Sequence, residues 1–124
     1  MATERVSRRK APALTGLEGV ALEVGDLAKA VAFYRDVLGL KVEVMAPGHF
    51  AMVPKLQLGL LSTGKKVRSQ GFHLEIEVED VDAWYVYLRD RGVEVSAPVT
   101  EEWGERNVYF TDPDGHEIEL SQGS

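Results

Sequence analysis

The side chains able to do chemistry in this chain fall into a spaced pattern. His73, Glu75 and Glu77 occupy alternate positions in HLEIE, Glu117 and Glu119 do the same in HEIEL, and Glu23 follows the same phase in VALEV. Alternate residues of an extended strand share one face. One imidazole among several carboxylates suits the capture of a cation, or proton transfer by a carboxylate that its neighbours discourage from ionising. Cys is absent from the 124 residues, so disulfides, thiol nucleophiles and thiolate metal sites are excluded, and any ion must be held by imidazole and carboxylate. Two further histidines carry less. His116 falls in the turn DPDGH with its alternation toward the core, and His49 follows Pro47 and Gly48 in a loop.

Among the aromatic residues, Trp103 stands out because it follows Glu101 and Glu102 in the loop VTEEWGER, where an indole can stack on a planar or cationic ligand. The strand candidate after it, RNVYF, brings Tyr109 to the same cleft. Trp84 instead lies in a helical stripe with Val81, Tyr85 and Leu88, as core residues do.

The elements that position these groups repeat. GVALEVGDLAKAVAFYRDVLGLKVEV, from Gly19, overlays HLEIEVEDVDAWYVYLRDRGVEV, from His73, at an offset of 54 residues that a one-residue deletion ends before Gly92. Each copy begins with an alternating strand and an Asp suited to cap a helix, Asp26 or Asp80. A helix with apolar residues at helical spacing follows: Leu27, Ala30, Val31, Tyr34 and Leu38 in the first copy. Gly39 and Gly92 stand where a helix end wants a left-handed residue. A strand is expected next, over 40–45 and 93–95, and then two more: HFAMV and KLQLGLLS in the first copy, RNVYF and HEIEL about the Asp112-Pro113-Asp114-Gly115 turn in the second. The chain therefore reads as two βαβββ modules, about 17–64 and 71–121, within one domain over 14–124, preceded by a disordered basic tail over 1–13.

One helix covers one face of a four-stranded sheet, so the other face must meet the second module, a partner chain or a ligand. With Val20, Leu22, Val24, Leu74, Ile76, Val78, Ile118 and Leu120 toward the helices, that open face collects His73 and five carboxylates, Glu23, Glu75, Glu77, Glu117 and Glu119. The net charge is −6, and the tail holds Arg5, Arg8, Arg9 and Lys10 against Glu4, so the body is more acidic still. Such a body repels nucleic-acid phosphates. No apolar run approaches the ~20 residues of a membrane span and no signal peptide is evident, so the expected location is the cytoplasm.

VALEVGDLAKAVAFYRDVLGLKV resembles the first-module signature of the vicinal oxygen chelate superfamily of glyoxalases, bleomycin-resistance proteins and extradiol dioxygenases, and EEWGERNVYFTDPDGHEIEL resembles its C-terminal signature. The resemblance spans residues 17–120 and implies an α+β fold in which two βαβββ modules form curved mixed sheets around a cleft. In metal-dependent members the first strand of each module offers a His and the last a Glu. By that correspondence His73 and Glu119 are metal ligands. The first-module pair is missing: Gly19 replaces the His, and Gln57 or Gly59 stands where a Glu is expected. Glu75 or Glu117 would have to supply a third ligand.

Two functions follow from the sequence, with a third held beside them. The first is a small-molecule-binding protein without strong metal chemistry, whose acidic cleft, lined by Glu75, Trp103, Tyr109 and Glu117, sequesters a cationic or aromatic compound. The second is a lyase, epimerase or dioxygenase that uses a divalent metal ion on His73 and Glu119. The third is a regulatory or scaffold subunit. No cofactor other than that ion is implied, and the expected partners are a small-molecule ligand and a second copy in a homodimer, with no nucleic acid and no membrane.

Overall fold

The computed structural model describes residues 10–67 and 70–123. The expected basic tail lies outside the described residues as far as residue 9, and residues 10–13 form no helix or strand. Module one runs β1 (Val20–Val24), α1 (Leu27–Ala32), β2 (Glu43–Ala46), β3 (Phe50–Val53) and β4 (Leu58–Ser62). Module two runs β5 (His73–Glu77), α2 (Val81–Asp90), β6 (Val99–Thr100), β7 (Arg106–Thr111) and β8 (Glu117–Gln122). The two mixed sheets have strand orders β1-β4-β3-β2 and β5-β8-β7-β6, with β1 parallel to β4 and β5 parallel to β8. No helix among the described residues is long and apolar enough to cross a membrane.

The helices begin where the sequence places their caps. Asp26 accepts from the Lys29 backbone N–H and Asp80 from that of Ala83. Gly39 and Gly92 adopt φ of 70° and 79°, the left-handed geometry that a Cβ would oppose. Helix α1 continues into a π-helical turn over Phe33–Val37, closed by Leu38 N–H on the Phe33 carbonyl at 3.1 Å. Leu22, Val24, Ala51, Val53, Leu58 and Leu60 bury one face of the first sheet together with Leu27, Ala30 and Val31 of α1. Val108, Phe110, Ile118 and Leu120 do the same in the second with Val81 and Leu88. These residues form one continuous core, each large aliphatic side chain contributing about 1.5–3 kcal/mol on burial.

The modules are joined within the chain by the β7–β8 hairpin. Tyr34 Oη donates to Asp112 Oδ2 at 2.8 Å, while Asp112 Oδ1 accepts from the backbone N–H groups of Asp114 and His116, both at 2.9 Å. Gly25 N–H donates to Asp114 Oδ1 at 2.8 Å, and His116 Nε2 donates to the Glu23 carbonyl at 2.7 Å. A carbonyl can only accept, so Nε2 carries the proton in this bond. Burial and the adjacent Asp112 carboxylate push the Tyr34 phenol far above its ordinary value. At the helix ends, Tyr87 Oη donates to the Val37 carbonyl at 2.8 Å and Arg91 Nη2 to that of Asp36 at 3.0 Å.

Two strand expectations are corrected. Residues 93–95 form no strand, and the pairing with β7 comes later, at Val99–Thr100. Val93 and Val95 pack half-buried on the core, and Ser96 takes up the edge of β7 irregularly, donating N–H to the Tyr109 carbonyl at 2.9 Å and accepting the Tyr109 N–H on Oγ at 2.8 Å. In module one the strand begins at Glu43 in place of Leu40, because Leu40 N–H closes the helix end on the Tyr34 carbonyl at 3.0 Å.

Candidate functional site

Strand register brings the polar residues of module two together. In the parallel β5–β8 pair His73 is opposite Glu117 and Glu75 opposite Glu119, and in the antiparallel β7–β8 pair Tyr109 is opposite Glu119. Ile118, Leu120, Val108 and Phe110 take the helix side, leaving Glu119, Glu75, His73 and Tyr109 on the open face. His73 Nε2 is 3.3 Å from Glu75 Oε2 and 4.0 Å from Glu119 Oε1. One ligand atom from each of the three lies within 4.8 Å of the others. Of the two third-ligand candidates, the geometry groups Glu75 with the pair; Glu117 is exposed and outside the cluster.

Glu119 is the buried member, its side chain 9 % exposed against 43 % for His73 and 65 % for Glu75. Its carboxyl is raised above the usual glutamate range by burial first, then by the charges of Glu75 and Glu105, with His73 and Tyr109 acting in the opposite direction. The Tyr109 phenol is raised too, by desolvation and then by Glu119. This is a carboxylate short of positive charge. Glu105 also accepts from Trp103 Nε1 at 3.5 Å, which places the indole, 69 % exposed, at the rim of the same acidic group. Asn107, two residues before Tyr109 on the open face, is buried, with Oδ1 unpartnered among the described residues.

Sequence reasoning named His73, Glu75, Glu119, Glu117, Trp103 and Tyr109 but passed over Glu105 and Asn107. Asn107 shares the alternation phase of Tyr109, a signal that was present; Glu105 sits in an irregular loop, where no period assigns a direction. The carboxylates do not form one acidic face across both modules. Module one contributes Glu23 and Glu43, the latter paired with Met52, and its open face otherwise includes Ala21, Phe50, Met52 and Leu61.

The module-one copy of the site is built differently. Since Ala21 pairs with Gly59 as Glu75 pairs with Glu119, Gly59, and not Gln57, is the counterpart of Glu119. Gln57 is in a left-handed turn with φ 50°, and its carbonyl accepts from Val20 N–H at 3.2 Å. A Cβ on Gly19 would stand 2.6 Å from that carbonyl oxygen, and one on Gly59 would stand 2.9 Å from the Phe50 ring. Gly19 thus lacks a side chain because backbone fills the space.

Comparison with known proteins agrees with this architecture. Metallothiol transferase FosB from Staphylococcus saprophyticus is 28 % identical over an alignment covering 90 % of this chain and 79 % of the relative. TnmS3, an antibiotic-binding protein from Streptomyces sp. CB03234, is 30 % identical with a TM-score of 0.73, covering 92 % of this chain and all of that one. The fosfomycin resistance protein FosX from Listeria monocytogenes shares the fold, with a TM-score of 0.73 at 23 % identity over 90 % of this chain and 96 % of its own. The family model of the Glyoxalase/Bleomycin resistance protein/Dioxygenase superfamily matches residues 16–120. With two βαβββ modules, paired mixed sheets and that match over most of its length, the chain belongs to the Glyoxalase/Bleomycin resistance protein/Dioxygenase superfamily.

Proposed function

We propose that this protein is a divalent-metal-dependent enzyme acting on a small molecule, with its centre on the open face of module two. The observation that carries the proposal is the convergence of His73, Glu75 and Glu119, one ligand atom from each within 4.8 Å of the others, with Glu119 the buried member. The donor set fits an ion: one imidazole nitrogen and two carboxylates supply three ligands and leave positions for water or substrate, with a harder character than His-rich sites. His73, Glu75 and Glu119 would hold the ion. When bound, it would supply Lewis-acid polarisation of a substrate oxygen.

The remaining roles fall to this chain's own side chains. Tyr109, beside Glu119, is kept protonated by its surroundings and donates a hydrogen bond to a developing oxyanion. Glu105 and Glu117 lie outside the ligand set and offer carboxylates for proton transfer or for a positive group on the substrate. Trp103 shields the rim or stacks on the ligand. The relatives called metallothiol transferases support metal dependence, since their name states it. The open faces left uncovered by the helices support a homodimer in solution.

A metal-free binding protein is the second reading. It is favoured by the blocked Gly19 position and by the similarity to an antibiotic-binding protein. The acidic rim at Trp103 would then receive a cationic or aromatic compound directly. Calorimetric titration with Mn²⁺ and Zn²⁺ separates the two. Stoichiometric binding at micromolar or tighter affinity, lost in His73→Ala and Glu119→Ala, supports the enzyme; no binding below millimolar concentration gives the site to an organic ligand.

A further inference from the structure

The open face of module two has hydrogen-bond acceptors in excess of donors. Glu75 and Glu119 stand side by side on β5 and β8, Glu117 is opposite His73, and Tyr109 is opposite Glu119. Among the described residues, His73 is the one basic side chain within 4.0 Å of Glu75 or Glu119. Module two supplies no other: between residues 71 and 121 it has no lysine, and its arginines are engaged elsewhere. Arg106 holds Asp82 of α2 through two bonds of 2.9 Å and also donates to Thr100 Oγ1. Arg89 and Arg91 lie over the rings of Tyr85 and Tyr87 on the same helix. Asn107 adds a neutral acceptor. Buried on the open face, with Nδ2 3.5 Å from Tyr109 Oη, it leaves Oδ1 unpartnered among the described residues.

Donors of the right kind stand at the start of the chain. Arg5, Arg8, Arg9 and Lys10 are crowded there against a single carboxylate, Glu4. They join the body through residues 10–18, which are exposed and form no helix or strand. From Arg5 to Gly19 an extended backbone spans roughly 45 Å, whereas a domain of this length has a radius of gyration of about 14 Å. The end of β1 already lies beside the strand that carries the site, since the Glu23 carbonyl accepts from His116, the residue before Glu117. From this complementarity of charge and reach we propose that the basic segment over residues 5–10 docks on the acidic open face of module two in its own chain, as an internal occupant that an incoming cation must displace. Arginine suits the position. Its guanidinium is always charged, and its planar fork of five N–H donors pairs with a carboxylate through two bonds at once and has donors left for Asn107 Oδ1. The shortage of positive charge that raises the Glu119 carboxyl points the same way. The segment and a divalent ion draw on the same carboxylates, so the segment regulates the centre proposed above, yet its docking requires no ion.

The chain has no cysteine, so Ser7→Cys carries a single nitroxide label between Arg5 and Arg8, and paramagnetic broadening of backbone amide signals reports where the label goes. The full chain is used, free of metal. The expected result is broadening at Glu75, Tyr109 and Glu119, with Val86, exposed on α2 behind the sheet, unaffected. Replacing all three arginines, by Arg5→Gln, Arg8→Gln and Arg9→Gln, should remove most of the broadening, as should salt at about 0.5 M, which screens the attraction. Broadening that misses the open face, or that reaches Val86 equally, overturns the proposal. Broadening that survives in the glutamine variant also overturns it, because charge then does not hold the segment. So does equal broadening in an unlabelled ¹⁵N chain mixed with the labelled one, because the face is then reached from a second copy. Calorimetric titration with Mn²⁺ adds a second measure. Without the label, the glutamine variant should bind the ion at least about threefold more tightly than wild type, since its site is open more of the time. Binding of equal strength overturns the proposal by showing that the segment lies off the carboxylates. If neither protein binds Mn²⁺ while the broadening at Glu75 and Glu119 stands, the docked segment is upheld and the metal centre alone falls.

Discussion

Tyr34 and Asp112, 78 residues apart in the chain and in different modules, share a buried hydrogen bond of 2.8 Å. The phenol came into the sequence pattern as one more apolar position of a helix, and the carboxylate as one more turn residue. Together they fix the angle at which the β7–β8 hairpin meets α1. Tyr34→Phe should cost about 1–3 kcal/mol, because Asp112 then keeps its backbone donors but loses its side-chain partner while still buried. Urea unfolding of both proteins measures this; a difference below about 0.5 kcal/mol, the ordinary range for a surface change, would mean the bond does not hold the joint.

The same pair predicts an alkaline limit. The folded-state pKa of Tyr34 is raised, so its contribution to stability is complete below the ordinary tyrosine value of about 10 and is lost as pH rises above it, where the unfolded chain can ionise and the folded one cannot. Unfolding at increasing alkaline pH should therefore be less steep in Tyr34→Phe than in the wild type. Parallel curves would contradict the sign.

Glu119 predicts the opposite end of the scale. Its folded-state pKa is also raised, through burial and the charges of Glu75 and Glu105, so its favourable term is present below the usual glutamate range and lost as pH rises through the folded-state value. Without metal, Glu119→Gln should melt a few degrees higher than wild type near neutral pH, the gap closing toward about pH 4. Saturating Mn²⁺ should reverse the order by stabilising the wild type alone. Melting curves across pH, with and without the ion, decide it.

Restoring a ligand at residue 19 should fail. In Gly19→His the new Cβ meets the Gln57 carbonyl oxygen at 2.6 Å, so Gln57 must move and release Val20 N–H. We expect a loss of about 1–3 kcal/mol, as for other overpacked sites, and no gain in Mn²⁺ affinity. A tighter, equally stable variant would show that the first strand of module one can serve a metal after all.

Removing Glu75 should distinguish it from its strand neighbours. Glu75→Gln is expected to weaken Mn²⁺ binding at least tenfold, whereas Glu77→Gln, on the same strand but outside the cluster, should leave it unchanged. Calorimetric titration of the two variants side by side tests the assignment, and equal effects would reduce both residues to a diffuse acidic field.

The duplicated fold was legible because periods of two and 3.6, an Asp before each helix and a Gly after it all agree within each copy. Residues 93–95 misled because Val93 and Val95 have strand composition but no partner strand, and a strand exists only by pairing; Ser96 occupies the β7 edge through its hydroxyl. Alternation alone assigned His73, Glu75 and Glu119 to the open face. Their proximity depends on the register of β5 against β8, which the α2 crossover and the 112–115 turn set jointly, and no local signal states that. The apolar character of module one escaped because Phe50, Met52 and Leu61 read as ordinary strand hydrophobes with no mark of which face they take.

The hairpin holds module one by main-chain groups as well as by Tyr34: the carbonyl of Glu23 and the N–H of Gly25. Main-chain groups are the same whatever side chain they carry. Substitutions at the exposed positions of β1, Ala21 and Glu23, can therefore accumulate without breaking those two bonds, while Leu22 and Val24 stay fixed in the core. A division of labour between the copies is thereby open to this chain, with one face of β1 free to drift and the other held.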